Sequence, residues 1–277
     1  MNMTKEKNQM KTRISVLVIG IILSLCLVVN VGAKDYSKEI TDIMDNFSKK
    51  DSEASNIFHQ MLNGAYRGVQ LLEIVARELD KTDKYTADID VVMKKFIEMD
   101  TLSSNINQQM ANGAYRGVEL FNIIAKELDK AGKFAAERET VMKTFDDNNA
   151  SAKNVYHQIT NGGYRTVQFL EILAKMLDTE NKFGADITTV MKKFEEMDSS
   201  ASNINHQMTN GTYRTAQMLE IIAKILDKGQ KYTTDIAAVM TRFVKADGDA
   251  SNVNQQITNG RYRTVELLRI VALLLNK

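Results

Sequence analysis

The chain has 277 residues and no proline, where ordinary usage would supply about 14. Helix interiors exclude proline while loops and strand edges collect it, so its absence predicts an all-α protein. Basic and acidic residues balance at 36 and 35, a net charge of +1, which gives no global field for nucleic acid or anionic lipid; one cysteine and three histidines exclude a cysteine-rich zinc site.

Residues 1–33 read as a secretory signal. Lys5, Lys7, Lys11 and Arg13 make a basic start, an apolar run follows from Ile14 to Val29, and Val31-Gly32-Ala33 supplies small residues for cleavage after Ala33. The alternative is an uncleaved N-terminal anchor, since Ile14–Val31 reaches the lower edge of a spanning length. Cleavage would leave an exported periplasmic or extracellular protein with 32 basic and 34 acidic residues, no cysteine and no stable membrane insertion.

From residue 34 one unit is written five times. Asn-Gly-x-Tyr-Arg begins at Asn63, Asn112, Asn161, Asn210 and Asn259, and Phe47, Phe96, Phe145, Phe194 and Phe243 keep the same step of 49 residues. The units are 34–82, 83–131, 132–180, 181–229 and 230–277, and a period of this length predicts a tandem, solenoid-like array of helical units. Each unit opens with a short helix, marked in the first by the stripe Tyr36, Ile40, Ile43, Met44 and Phe47. A turn near Lys50-Asp51-Ser52 leads to a longer helical stretch from about Ser52 to Asp80, with Ile57, Met61, Leu72, Val75 and Leu79 on one face. The glycine of Asn63-Gly64 either breaks this stretch or permits close backbone approach; the apolar stripe keeps its phase across it, which favours continuity. Gly132 and Gly229 are the expected helix-ending glycines at the junctions between units. The units are expected to stack into an extended array.

Five side chains recur on the polar side of the long helix. They are Asn56, Gln60, Asn63, Tyr66 and Arg67 in the first unit, then Asn105, Gln109, Asn112, Tyr115 and Arg116, then Asn154, Gln158, Asn161, Tyr164 and Arg165. The fourth unit has Asn203, Gln207, Asn210, Tyr213 and Arg214, and the fifth Asn252, Gln256, Asn259, Tyr262 and Arg263. On a continuous helix Asn56, Gln60, Asn63 and Arg67 share one face, so stacked units predict a grid of amides with parallel arginines. Such a grid suits an extended peptide, a glycan or another polymeric partner, either a protein or a polysaccharide. The competing expectation is a structural ladder in which amides bridge units and each arginine meets a carboxylate.

His59, His157 and His206 share a position that two units fill with Gln108 and Gln255, a substitution that argues against metal. No nucleophile–base order and no phosphate loop is visible, and no unique polar residue is seen to break the repetition, so neither an enzyme nor a cofactor is expected. At the C-terminal end Leu273 stands where other units carry Arg77, Lys126, Lys175 and Lys224, and Leu274 and Leu275 follow. An end this apolar predicts burial: on its own short helix, by the last unit folding back, or against a second copy or a partner. A second copy docked through Leu273, Leu274 and Leu275 would make a self-assembling structural protein.

Overall fold

A computed structural model describes residues 34–276; the proposed signal, residues 1–33, lies outside the described residues. The described residues form ten helices and no strand. Five short helices, α1 (Ser37–Ser52), α3 (Thr86–Leu102), α5 (Ala135–Ala150), α7 (Gly184–Ser200) and α9 (Thr233–Gly248), alternate with five long ones. The long helices are α2 (Ile57–Leu79), α4 (Ile106–Leu128), α6 (Val155–Leu177), α8 (Ile204–Leu226) and α10 (Val253–Leu275).

Each long helix starts later than the sequence pattern suggested. The short helix runs on through Ser52, and Asn56, in extended backbone, opens α2 by accepting the Phe58 and His59 N–H groups on its Oδ1. Asn105, Asn154, Asn203 and Asn252 cap the other four long helices in the same way. An asparagine N-cap satisfies donors the first turn would otherwise leave open, which is the local reason this residue recurs.

No long helix breaks at Asn-Gly. Gly64 and its equivalents sit where consecutive long helices approach closely: a Cβ on Gly162 would stand 2.7 Å from the Ala114 Cβ, and one on Gly260 2.8 Å from the Thr212 hydroxyl oxygen. At the junctions, Asp83, Gly132, Asn181 and Gln230 take the left-handed conformation, so Gly132 is used as expected while Gln230, rather than Gly229, turns the last junction.

The long helices pack side by side in chain order, and α10 packs against α2. The extended stack is therefore corrected to a closed circle of five long helices. Each short helix lies on the long helix of its own unit and also touches the long helix of the unit before, α1 touching α10. One face of every long helix converges on a common axis. Leu79, Leu128, Leu177, Leu226 and Leu275 form one layer around it, and Leu72, Phe121, Leu170, Leu219 and Leu268 another, leaving a void of only about 40 Å³ between them. A joint of unlike faces closes into a ring when its rotation divides a full turn, and here five copies suffice.

The closing contact explains the apolar C-terminal end. Leu273, Leu274 and Leu275 are partly buried and pack on the main hydrophobic core, and Leu275 completes the axial layer. The last long helix meets the first unit as well as its own short helix, and Leu275 is the residue placed beside Leu79. Asn276 Oδ1 accepts the Tyr36 N–H at 3.1 Å. Asp80, Asp129, Asp178 and Asp227 do the same for Tyr85, Phe134, Phe183 and Tyr232 at the internal junctions.

Candidate functional site

The five recurrent side chains hold the circle together, some within a unit and some between units. Asn63, Asn112, Asn161, Asn210 and Asn259 are at most 6% exposed, and each Nδ2 donates to the carbonyl of its unit's Phe47, Phe96, Phe145, Phe194 or Phe243 at 2.7–2.8 Å. They tie the end of each short helix to the middle of its long one. A buried amide already committed to a backbone acceptor is not a solvent-facing ligand group.

Tyr66 and its equivalents reach across units. Its hydroxyl donates to Asp100, and its ring meets Phe96 edge-on at 4.9 Å. Tyr164 and Tyr213 repeat this with Asp198 and Phe194, and with Asp247 and Phe243. Tyr262 closes the circle on Asp51 and Phe47. Burial, and hydrogen bonding to an anion, hold the Tyr164 and Tyr262 hydroxyls protonated well beyond the usual phenol range. The same aspartates accept Gln60, Gln109, Gln207 and Gln256 Nε2 at 2.9–3.2 Å. At four of the five joints a tyrosine from one unit and a glutamine from the next thus converge on one carboxylate.

The third unit departs from this. Asn149 stands where the others have Asp51, Asp100, Asp198 and Asp247. Its Oδ1 accepts Asn161 Nδ2 at 2.9 Å, the Tyr115 hydroxyl is buried with no hydrogen-bond partner, and burial pushes it up to about 12.

Arg116 and Arg214 are buried beside the joints, and Arg67, Arg165 and Arg263 are half-buried. Arg116 and Arg263 pair with Glu119 and Glu266 three residues on, at 2.6 and 2.8 Å, while Arg67 and Arg214 donate to Gln70 and Gln217. Burial lowers the proton affinity of Arg67, Arg165, Arg214 and Arg263. Two arginines meet the carboxylate that a structural ladder called for, and two are held by glutamine. His59 and His206 are exposed and meet Ser55 and Ser202 at 3.1 and 2.8 Å, and His157 meets Asn154 at 3.0 Å. Among the described residues no group of three His, Cys, Asp or Glu could hold a metal ion. No described helix is long and apolar enough to cross a membrane.

Two further features break the fivefold repetition. On the axis, above the leucine layers, is a cavity of about 120 Å³. Ala65, Ala114, Gly163, Thr212 and Arg261 occupy one repeat position around it, so the fifth unit places a cation where the others have small side chains. This corrects the expectation that no unique polar residue interrupts the repeats. On the outer wall, α3 exposes Val91, Ile97, Met99 and Leu102, the last at 75%. The first unit has Asp42, Ser48, Lys50 and Glu53 at those positions. Aligning the five copies for departures rather than identities finds both features. Compared with family models, curated proteins and solved structures, the chain matches none.

Proposed function

We propose that this is an exported, non-enzymatic binding protein: a closed ring of five helical repeats that presents its outer wall to a protein partner. The reading rests on one observation, the large aliphatic side chains Val91, Met99 and Leu102 that α3 exposes where the first unit has Asp42, Lys50 and Glu53. Aliphatic side chains scattered singly on a surface need no explanation, but Val91, Met99 and Leu102 fall on one side of α3 at helical spacing, where the first unit has Asp42, Lys50 and Glu53, and they mark an interaction surface. Valine, isoleucine, methionine and leucine give a sugar hydroxyl nothing to bond, so a protein with an apolar contact patch is the partner rather than a polysaccharide.

The Asn/Gln/Tyr/Arg row then assembles the ring that carries this surface, which supports the structural ladder over the ligand grid. Self-assembly through Leu273, Leu274 and Leu275 finds no support, because all three are partly buried on the protein's own hydrophobic core and Leu275 shares the axial layer with Leu79 of the first unit. Export is read from the signal pattern of residues 1–33.

The test replaces the α3 face with the first unit's residues: Val91→Asp, Ile97→Ser, Met99→Lys and Leu102→Glu. The variant should keep its helical dichroism and lose the cross-links that the unaltered protein makes to envelope or secreted proteins in its own cells. A variant that keeps every cross-link overturns the proposal. Mass spectrometry of the mature N-terminus tests export, with cleavage after Ala33 expected.

A further inference from the structure

Arg261 is a partly buried cation that no carboxylate pairs among the described residues. Its Nη1 donates to the Met61 carbonyl at 2.9 Å across the closing joint. No carboxylate is paired with it among the described residues, and desolvation is the one influence on its titration, lowering it to about 10. It therefore stays charged at neutral pH. Protein surrounds it, yet it keeps partial surface exposure, because that surface faces the axial cavity. Five guanidinium N–H donors with one backbone acceptor, the Met61 carbonyl, leave unused bonding capacity, and a desolvated charge is costly unless paired.

The cavity beside it is apolar and has been kept open by small residues. A Cβ on Gly68 or on Gly163 would touch nothing within 4 Å. Leu72, Phe121 and Leu268 form the floor. At about 120 Å³ the space is close to the roughly 150 Å³ apolar cavity that admits benzene.

We propose that the axial cavity binds a small amphiphilic carboxylate, its carboxylate on Arg261 and its apolar body on the Gly68–Leu72–Phe121 wall. A guanidinium fork matches a carboxylate in two parallel bonds, and the apolar wall rewards a hydrocarbon or aromatic body that an inorganic anion lacks.

Calorimetric titration and thermal denaturation of the protein test this with four probes: benzoate, benzyl alcohol, acetate and inorganic phosphate. Benzoate should bind at least tenfold more tightly than the other three and raise the melting temperature most. Arg261→Thr, which installs the fourth unit's residue, should cost benzoate at least tenfold and leave benzyl alcohol unchanged. Gly68→Leu, which fills the cavity while keeping the cation, should weaken both aromatic probes and, if Arg261→Thr does not fold, still tests the site: unaltered binding of both probes to Gly68→Leu overturns the proposal. Equal binding of acetate or phosphate, an undiminished response of Arg261→Thr, or no response to any probe overturns the proposal. None of these outcomes touches the α3 face, so the two proposals fail separately.

Discussion

Tyrosine to phenylalanine, made one unit at a time, tests the joints with an internal control. At Tyr66, Tyr213 and Tyr262 the change deletes a hydrogen bond to a half-buried carboxylate. Bonds to charged groups are worth about 1.5–3 kcal/mol. Each aspartate keeps its glutamine donor, so the expected loss is about 1–2 kcal/mol, or roughly 2–8 °C in melting temperature for a chain of this size. At Tyr115 the hydroxyl has no partner, because Asn149 is turned toward Asn161. Tyr115→Phe removes a buried, unsatisfied group and should be neutral or stabilising by up to about 1 kcal/mol. Asn149→Asp should then supply the missing acceptor and give Tyr115→Phe the same cost as at the other joints, a coupling of at least about 1 kcal/mol in a double-mutant cycle. Urea denaturation at pH 7 measures all of these. Equal costs at Tyr66 and Tyr115, or no coupling between Tyr115 and Asn149, would refute the carboxylate as the centre of the joint.

Two further predictions concern crowding and charge. Gly162→Ala puts a Cβ 2.7 Å from the Ala114 Cβ and should destabilise, whereas Gly68→Ala enters open space and should gain about 0.5–1 kcal/mol of helix propensity; denaturation midpoints that rank the other way would remove the close-approach argument. Glu78 is 3% exposed with neither carboxylate oxygen hydrogen-bonded, and burial raises it from 4.5 to about 8. Its protonated form fits the fold, so no cost is felt below about pH 4.5 and a growing one as the pH rises towards 8. Glu78→Gln should therefore stabilise by about 1–2 kcal/mol at pH 7.5, less than the full shift would give because Lys81 and solvent screen the charge, and do nothing at pH 4. An effect of equal size at both pH values would exclude titration of Glu78 as the cause.

Helices were legible in the sequence because apolar spacing and the absence of proline report local geometry directly. Continuity through Asn63-Gly64 was legible too, since a break would have shifted the stripe. The start of the long helix was not: Ser52 and Asn56 are both good caps, and only packing decides that the short helix uses up the first. Closure was hidden for a different reason. A repeat says which faces meet but not the rotation between them, so a stack and a ring share one pattern, and only the C-terminal leucines hinted that the last unit had something to cover. The identity of Asn63, Tyr66 and Arg67 across copies could not separate a joint from a ligand grid, because both demand the same residue in every unit. The informative positions were those where the copies disagree, Asn149 and Arg261 above all.

The seam where the chain's ends meet carries its own charge pattern. At the internal junctions an aspartate (Asp80, Asp129, Asp178 or Asp227) is followed four residues on by a lysine, Lys84, Lys133, Lys182 or Lys231. At the seam the equivalent pair is Asn276 and Asp35, with Asn276 Nδ2 donating to Asp35 Oδ1 at 2.9 Å and helping to hold that carboxyl at about 2. The acid has moved to the other side of the junction, and the amide serves both the Tyr36 N–H and Asp35. Asn276→Asp alone would set two carboxylates against each other there and should lower the melting temperature, less so at high salt, where exposed charges are screened. Combining it with Asp35→Lys rebuilds the internal pattern and should recover the loss. If the double variant melts no higher than Asn276→Asp, the two ends do not meet as the fold requires, and the ring is open at the joint that Tyr262, Arg261 and Asn276 are proposed to close.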